Sequence, residues 1–261
     1  MTKNLDVVIV RKGNSVVTSG FQCAELLAQL FGLGQNRHII GCTQGIGLGQ
    51  HGGEIGMGIL RGDAMKNVGL YGLTYYDAGS RCFFSSKPIH SPADMKGMLV
   101  RVQESELMMS MVEKLGASSI AIAYSECYSS LQTGVCDAAE NSIVNYLDMS
   151  FYEVAPYYIK DDHTRSADIL VMSQKTREKL SEEDLAIIDQ TALDSWEYQK
   201  ELWANAEKEN EQKLLDTGKV EIYTPTDEEA AEFRDACTPI WYSYEGGKYT
   251  DLVDQIQAAA E

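Results

Sequence analysis

The feature that most constrains the fold of this chain is one long polar segment towards its C-terminal end. Ser181 with Asp184 resembles a capping box, although the usual partner is Glu or Gln, and Gly218 is a typical stop signal. Between them, apolar residues recur at helical spacing, namely Leu185, Ile188, Ala192, Trp196, Trp203 and Leu214. This pattern predicts a helix of more than about 30 residues, whereas an ordinary helix has about 11–12. A helix of that length is longer than a single lobe, so we predict that it is shared by two lobes.

The middle of the chain alternates short apolar runs with short amphipathic ones. Strands are predicted at 68–76, 98–103, 118–123, 135–139 and 168–173. Helices are predicted at 54–66, 105–115 and 125–134, with a single helical turn from Ser91. Thr226 and Glu229 are expected to cap a last helix. The βαβα rhythm predicts an α/β fold with a largely parallel sheet. The chain has 261 residues, 44% of them hydrophobic, which suffices for one large domain or two lobes.

The charge balance excludes several classes of partner. Net charge is −17, from 22 basic and 39 acidic residues. So acidic a surface argues against binding to nucleic acid or to anionic membranes. No apolar run approaches the ~20 residues of a membrane span, and the N-terminal apolar stretch is too short for the core of a signal peptide. We therefore expect no direct membrane insertion and no export signal in the chain as written.

The cysteines and histidines show no metal-binding pattern. The six cysteines form no CxxC pair, and the four histidines are not spaced as metal ligands. We expect no metal and no cofactor. Scattered free thiols are the favoured interpretation of the cysteines, which are Cys23, Cys42, Cys82, Cys127, Cys136 and Cys237.

An arginine interrupts the apolar strand "MLVRVQ" at 98–103. Alternation along a strand puts Leu99 and Arg101 on one face, and Val100 and Val102 on the other. One interpretation is an edge strand with Arg101 in water. The other is a guanidinium at the wall of a cleft, where burial requires an anion. A carboxylate or phosphate is the natural partner, because the planar fork of arginine binds such groups through two bonds. The strand alone leaves both interpretations open.

Two other motifs suggest chemistry without specifying it. Gly47, Gly49 and Gly52 match G-x-G-x-x-G, which in a nucleotide-dependent oxidoreductase binds pyrophosphate. The preceding segment "RHIIGCTQ" is a poor strand, so the match is weak. Glu140 beside Asn141 is either an acid/base pair or polar lining at the end of a strand. There is no G-x-S-x-G elbow or other recognisable setting for a nucleophile.

Several ordered blocks resemble one known family. They are "SSKPIHSPADMKGMLVRVQ", "LGASSIAIAYSECYSSLQTGVCDAAEN", "FYEVAPYYIKDDHTRSADILVMS" and "KLSEEDLAIIDQTA". They resemble the solute-binding proteins of tripartite ATP-independent periplasmic (TRAP) transporters, from about Glu54 to the C-terminus. The resemblance implies a two-lobed α/β periplasmic-binding-protein fold, with a long helix spanning both lobes and an organic acid, a sugar acid among the candidates, bound between them. It places lobe I at 1–78 and 168–208, and lobe II at 79–167 and 209–261.

The resemblance also implies the ligand-binding residues. Arg101 matches the family's carboxylate clamp, Arg81 a second cleft arginine, and Asn141 the asparagine beside the carboxylate. Tyr124 matches the aromatic residue placed against the ligand. Glu140 and His163 match polar positions lining the cleft. To these we add Tyr146 on its position about one helical turn after Asn141.

The start of the chain departs from the family pattern. Family members begin with a signal peptide and about a hundred residues of the first lobe, whereas only about fifty residues precede the match here. We expect an incomplete first lobe, poor order over 1–50, a tendency to aggregate and weak binding of organic acids. A non-functional fragment, and a ligand sensor that never meets a transporter, stay open as alternatives.

The resemblance further implies partners and location. It implies a binding protein rather than an enzyme, with a small organic anion as ligand. The implied protein partner is the set of membrane subunits of a TRAP transporter, and the implied location is the periplasm.

Overall fold

The computed structural model describes residues 7–10, 38–39, 63–251 and 253–254. The strands are β1 (Val7–Val10), β2 (His38–Ile39), β3 (Leu70–Ser85), β4 (Leu99–Val102), β5 (Ser118–Ala121), β6 (Ala138–Asn141), β7 (Tyr157–Ile159), β8 (Thr164–Ser173) and β9 (Glu221–Tyr223). The helices are α1 (Asp63–Asn67), α2 (Glu106–Lys114), α3 (Cys127–Gln132), α4 (Ile143–Asp148), α5 (Gln174–Arg177), α6 (Glu182–Asp216) and α7 (Asp227–Ser243).

The chain divides into two compact units. Unit 1 comprises Met1–Asn36, Ile46–Ala78 and Ala167–Trp203. Unit 2 comprises Arg37–Gly45, Gly79–Ser166 and Ala204–Glu261. Strands β3 and β8 and helix α6 each contribute residues to both units.

The long helix predicted from the sequence is present as α6, with 35 residues. The backbone N–H of Asp184 donates to the Ser181 hydroxyl at 3.1 Å, which satisfies one of the unpaired donors at the helix start. Gly218, at φ +64°, follows the helix in a left-handed conformation that glycine adopts without strain. The cap of α7 is also confirmed, because Thr226 and Glu229 form a reciprocal capping box.

The sheet of unit 2 is mixed, which corrects the prediction of a largely parallel sheet. Strand β4 runs parallel to β5 and β6, as expected for strands joined by the crossover helices α2 and α3. Strand β3 pairs antiparallel with β6 and with β7, whereas β7 runs parallel to β9. The elements β7, β9 and α4 were not predicted from the sequence.

Alternation along the strands gives the sheet of unit 2 two apolar faces. One face carries Phe83, Val100 and Val102, and packs against buried side chains of α2 and α7 such as Met108 and Phe233. The other face carries Phe84 and Ala139, and packs against Tyr146, Phe151 and Leu131. Polar side chains at the ends of these strands are therefore held by a core on both sides of the sheet.

Unit 1 is built around the first half of β3, the second half of β8 and the first part of α6. Leu73, Leu170, Met172 and Ala192 form its buried apolar cluster. The Tyr76 hydroxyl lies 2.9 Å from the Ser195 hydroxyl, which ties β3 to α6. The predicted strand at 68–76 is present but continues to Ser85, so the sequence prediction ended it too early.

Several expectations concern residues outside the described ranges. The glycine loop at Gly47, Gly49 and Gly52 lies there, as do Cys23, Cys42 and most of residues 1–62. The other four cysteines are buried free thiols, as predicted, at Cys82, Cys127, Cys136 and Cys237. Within the described part of the chain, no group of three His, Cys, Asp or Glu side chains is arranged to hold a metal ion. None of the helices described is both long and apolar enough for a membrane crossing.

Candidate functional site

Arg101 lies on a central strand, so the edge-strand interpretation is wrong. Strand β4 is flanked by β5 on one side and β6 on the other, and Arg101 is only 2% exposed. Its Nε and Nη2 atoms donate to the carbonyl oxygen of Ile122 at 2.9 and 2.7 Å. Among the described residues, no carboxylate lies within ion-pair distance of this guanidinium. Arg101 is therefore a buried cation with three N–H groups left for a ligand.

Arg81, by contrast, is already paired. Its Nη2 donates to the Glu140 side chain at 2.8 Å and to the Glu140 carbonyl at 2.9 Å, while its Nε donates to the second carboxylate oxygen. Although burial alone would raise the pKa of Glu140, Arg81 and His163 lower it to about 2, so this side chain is ionised. The pairing of β3 with β6 brings these residues together, since Phe83 lies opposite Glu140 in the register.

Asn141 is oriented by three donors. Its side-chain oxygen accepts from Arg81 Nη1 at 3.1 Å, from the Ser142 N–H at 2.9 Å and from Asn145 Nδ2 at 3.0 Å. Three donors around one atom identify that atom as the oxygen and fix the orientation of the amide. The amide nitrogen of Asn141 has no acceptor among the described residues, so it remains available as a donor.

His163 and Asp161 extend this cluster behind Glu140. The Nδ1 atom of His163 lies 2.6 Å from an Asp161 carboxylate oxygen, and its Nε2 atom lies 3.7 Å from Glu140. The imidazole stacks on the ring of Phe83, with the two centroids 4.1 Å apart. Burial alone would lower the pKa of His163, but Asp161 and Glu140 raise it to about 9. The result is a buried cluster of two pairs, in which Arg81 contacts Glu140 and His163 contacts Asp161.

Tyr124 lies close enough to Arg81 and Arg101 to feel the electrostatic field of both guanidinium groups. It begins a short 3₁₀ turn after β5, and its side chain is partly exposed. Burial raises the pKa of its hydroxyl, while Arg81 and Arg101 both act in the opposite direction. The pKa of Cys127 is likewise raised by burial, to about 12, against the opposing fields of Arg101 and Arg81. Tyr124 therefore joins the two arginines at one place in unit 2.

These side chains meet where the parallel strands end. Asn141 is the last residue of β6, Arg101 lies next to the last residue of β4, and Ile122 and Tyr124 follow β5. The carboxyl ends of parallel strands are where open α/β sheets place their ligands. The structure thus brings Arg81, Arg101, Tyr124, Glu140, Asn141 and His163 together.

Tyr146 is the exception among the residues singled out from the sequence. Its side chain is fully buried, and its hydroxyl donates to the carbonyl of Ala155 at 2.8 Å. Its ring packs against Phe84 and Tyr158, with centroids 4.9 Å away in each case. This packing accounts for Tyr146 as a core residue, so we leave it out of the contacts proposed below.

Sequence reasoning missed two contributors to the cluster. Asp161 precedes His163 by two residues, a spacing that places side chains on one face of an extended segment and could have indicated the pair. The Ile122 carbonyl that binds Arg101 carries no signal in the sequence, since every residue has such a group.

Comparison with known proteins now identifies the family. The family model described as bacterial extracellular solute-binding protein, family 7, matches residues 51–246. The chain belongs to this family. The resemblance to TRAP solute-binding proteins is thereby confirmed, together with the α/β fold in two units that share a long helix.

Three similar proteins illustrate the match. A solute-binding protein of Chromohalobacter salexigens is 34% identical over 79% of this chain and 61% of its own length. The C4-dicarboxylate-binding periplasmic protein DctP of Vibrio cholerae is 30% identical over 76% of this chain and 61% of its own. The crystal structure of a TRAP periplasmic solute-binding protein from Bradyrhizobium, in complex with galacturonate, is 36% identical with a TM-score of 0.70, covering 78% of this chain and 67% of that one. The chain thus spans about three fifths of the length of these two curated relatives.

Proposed function

We propose that this family 7 protein captures an organic acid through its carboxylate group. The observation that carries the proposal is the state of Arg101, which is buried and bonded to a carbonyl oxygen but to no carboxylate of the described residues. A buried guanidinium without a counterion is unfavourable, and an anionic ligand removes that penalty. The planar guanidinium also matches a carboxylate geometrically, because two parallel N–H groups meet two oxygens.

The neighbouring residues have complementary roles in this proposal. The amide nitrogen of Asn141 donates to a ligand oxygen, and the ring of Tyr124 covers the less polar face of the ligand. Arg81 keeps one N–H beyond its four bonds to Glu140 and Asn141, so it adds at most one hydrogen bond. Glu140 and His163 act indirectly, because they hold Arg81 in place.

The relatives support a carboxylate as the recognised group. The Bradyrhizobium protein holds galacturonate, which is a sugar acid, and the Vibrio protein is named for C4-dicarboxylates. These ligands differ in size and shape, and the carboxylate is what they share. A buried arginine such as Arg101 would bind that shared carboxylate whatever the rest of the ligand.

The proposal extends to partners and location. The family description is of solute binding, so we propose a binding protein with no catalytic step of its own. The protein partners would be the membrane subunits of a TRAP transporter, and the location would be the periplasm. Both rest on the family and on the names of its members.

A substitution at Arg101 tests the proposal. A thermal-shift screen against galacturonate, glucuronate and C4 acids identifies the ligand, and isothermal titration then gives its affinity. Arg101→Lys keeps the charge but removes the planar fork. Truncating one partner of a buried charge pair costs about 2–5 kcal/mol, so we expect an affinity loss of about 30-fold or more.

The matched control is Arg234→Lys. Arg234 is in unit 2 and partly exposed, and its nearest carboxylate is the adjacent Asp235 at 3.9 Å. This variant should bind like the parent. An Arg101→Lys variant that binds within twofold of the parent would remove Arg101 from the site. Failure of the parent to bind any organic acid would remove the function.

A further inference from the structure

The Asn141 amide is oriented partly by Asn145, which follows it by about one helical turn. The side-chain oxygen of Asn141 accepts from Asn145 Nδ2 at 3.0 Å, besides Arg81 Nη1 at 3.1 Å and the Ser142 N–H at 2.9 Å. Asn145 is half-buried and lies in the first turn of α4. What it contributes to the site can be separated from what the other two donors contribute.

The start of α4 places the Asn145 side chain next to Asn141. Ser142 is the N-cap of the helix, with φ −70° and ψ 154°, and Asn145 is the third helical residue. A side chain at this position folds back over the N-cap, where Glu or Gln usually accepts from the N-cap N–H. Here that N–H already donates to Asn141. The shorter Asn145 side chain instead donates to the Ser142 hydroxyl at 3.1 Å and to Asn141.

The amide of Asn145 is itself held in one orientation. Its nitrogen carries two hydrogens, and the structure gives each of them an acceptor, namely the Asn141 oxygen and the Ser142 hydroxyl. Turning this amide over would lose both hydrogen bonds and would bring two side-chain oxygens together. Asn145 is therefore a donor whose position relative to Asn141 is fixed.

The three donors on Asn141 are not equivalent as anchors. The Ser142 N–H belongs to the next residue of the chain, so it moves with Asn141. Arg81 shares its guanidinium with Glu140, which accepts three of its hydrogen bonds. Of the three, Asn145 is the neutral side chain, so it can be replaced without leaving a buried charge unpaired. Its replacement therefore tests the orientation of Asn141 without disturbing the ion pair.

We propose that Asn145 is a positioning residue for the ligand site, because it holds the Asn141 amide with its nitrogen available to the ligand. This inference rests on the proposed function, in which that nitrogen donates to a ligand oxygen. With the Asn141 amide turned over, the ligand oxygen would meet a second oxygen, and no hydrogen would lie between the two acceptors. The role requires no contact between Asn145 and the ligand.

A double-mutant cycle on Asn145 and Asn141 tests the inference. Isothermal titration of the whole chain uses the tightest-binding acid among galacturonate, glucuronate and succinate. Asn145→Ala should weaken binding about three- to tenfold, which is the range for one neutral hydrogen bond. In the Asn141→Ala background the same substitution should change the affinity by less than about twofold, because no amide is left to hold.

A purely structural role predicts a different pattern. If Asn145 only supported the start of α4, Asn145→Ala would weaken binding by the same factor in both backgrounds, and that result would overturn the inference. Unchanged affinity in Asn145→Ala, or in Asn141→Ala alone, would also overturn it, while binding of an organic acid by the parent would keep the proposed function intact. Binding of no acid by the parent would overturn both.

A second variant and a control complete the experiment. Asn145→Asp keeps the size of the side chain but presents only oxygens to Asn141, so the cycle can be repeated with it if Asn145→Ala does not fold. Its loss of affinity should be at least about threefold smaller in the Asn141→Ala background. An equal loss in both backgrounds would be an effect of the added charge alone and would overturn the inference.

The matched control is Asn205→Ala, at an exposed asparagine of α6 in unit 2. This variant should bind the same acid as tightly as the parent does. A loss equal to that of Asn145→Ala would show that the effect is not specific to the neighbour of Asn141, and would contradict the positioning role.

Discussion

The free energy of unfolding should fall as the pH rises from 6 to 8.5, because the imidazole of His163 loses its proton in the unfolded chain over that range but keeps most of it in the folded protein. The imidazole is 3% exposed, and it faces Asp161 at 2.6 Å, Glu140 at 3.7 Å and the ring of Phe83. Burial opposes the charge, but the two carboxylates raise the pKa from 6.5 to about 9. A raised pKa in the folded state means that the proton stabilises the fold. That stabilisation is complete below pH 6.5 and is lost as the pH passes 9.

The size of the effect follows from the two pKa values. A shift from 6.5 to about 9 corresponds to about 3 kcal/mol when the imidazole is fully protonated in both states. Between pH 6 and 8.5, about 2 kcal/mol of this should disappear. The pH range ends at 8.5 because cysteine thiols of the unfolded chain ionise above that pH. Since burial raises the pKa of Cys127 and Cys136 in the folded protein, their ionisation would cause a second loss of stability at alkaline pH.

Urea denaturation followed by circular dichroism at several pH values measures this slope. His163→Gln should be less stable at pH 6 and should show little change up to pH 8.5. His90→Gln is the matched control, because His90 is exposed and its removal should leave the slope as in the parent. A parent protein whose stability is constant over the window, or a His163→Gln variant that keeps the slope, would refute the charged interaction with Asp161 and Glu140.

Three further outcomes follow from single contacts. Tyr146→Phe removes a buried hydroxyl donor and should cost about 1–2 kcal/mol in urea denaturation without changing ligand affinity; a loss of affinity instead would place Tyr146 in the site. Thr226→Ala breaks the capping box with Glu229 and should cost about 1 kcal/mol, whereas Thr226→Ser should match the parent. Iodoacetamide at pH 8 should modify Cys127 and Cys136 only in urea, and peptide mass spectrometry showing equal rates in native protein would contradict their burial.

Local signals in the sequence were sufficient for the bounds of α6 and for the start of α7. The start of α6 at Ser181, its end before Gly218 and the capping box of Thr226 depend on residues within a few positions of each other. The alternation of Leu99, Val100, Arg101 and Val102 was also read correctly. Whether β4 was central or at an edge was not in that pattern, because the neighbours of a strand are set by distant parts of the chain.

Features that are set by distant contacts could not be predicted from local patterns in the sequence. The sequence prediction ended β3 near residue 76, whereas the strand continues through the polar residues Asp77 to Ser80. The backbone N–H and C=O of Asp77 bond to the side chain of Gln199, a partner 122 residues away. Tyr146 was selected for its distance along the sequence from Asn141. Its orientation is set by Phe84 and Tyr158 on other strands.

The same dependence explains why the sequence did not show that Arg81 has a carboxylate partner and Arg101 has none among the described residues. In the structure Arg81 and Arg101 both lie in strands and both are buried. The antiparallel pairing of β3 with β6 separates them, because it sets Glu140 against Arg81 and leaves Arg101 with a carbonyl oxygen. Residue 140, on a strand that carries neither arginine, thus decides whether Arg81 has a carboxylate partner.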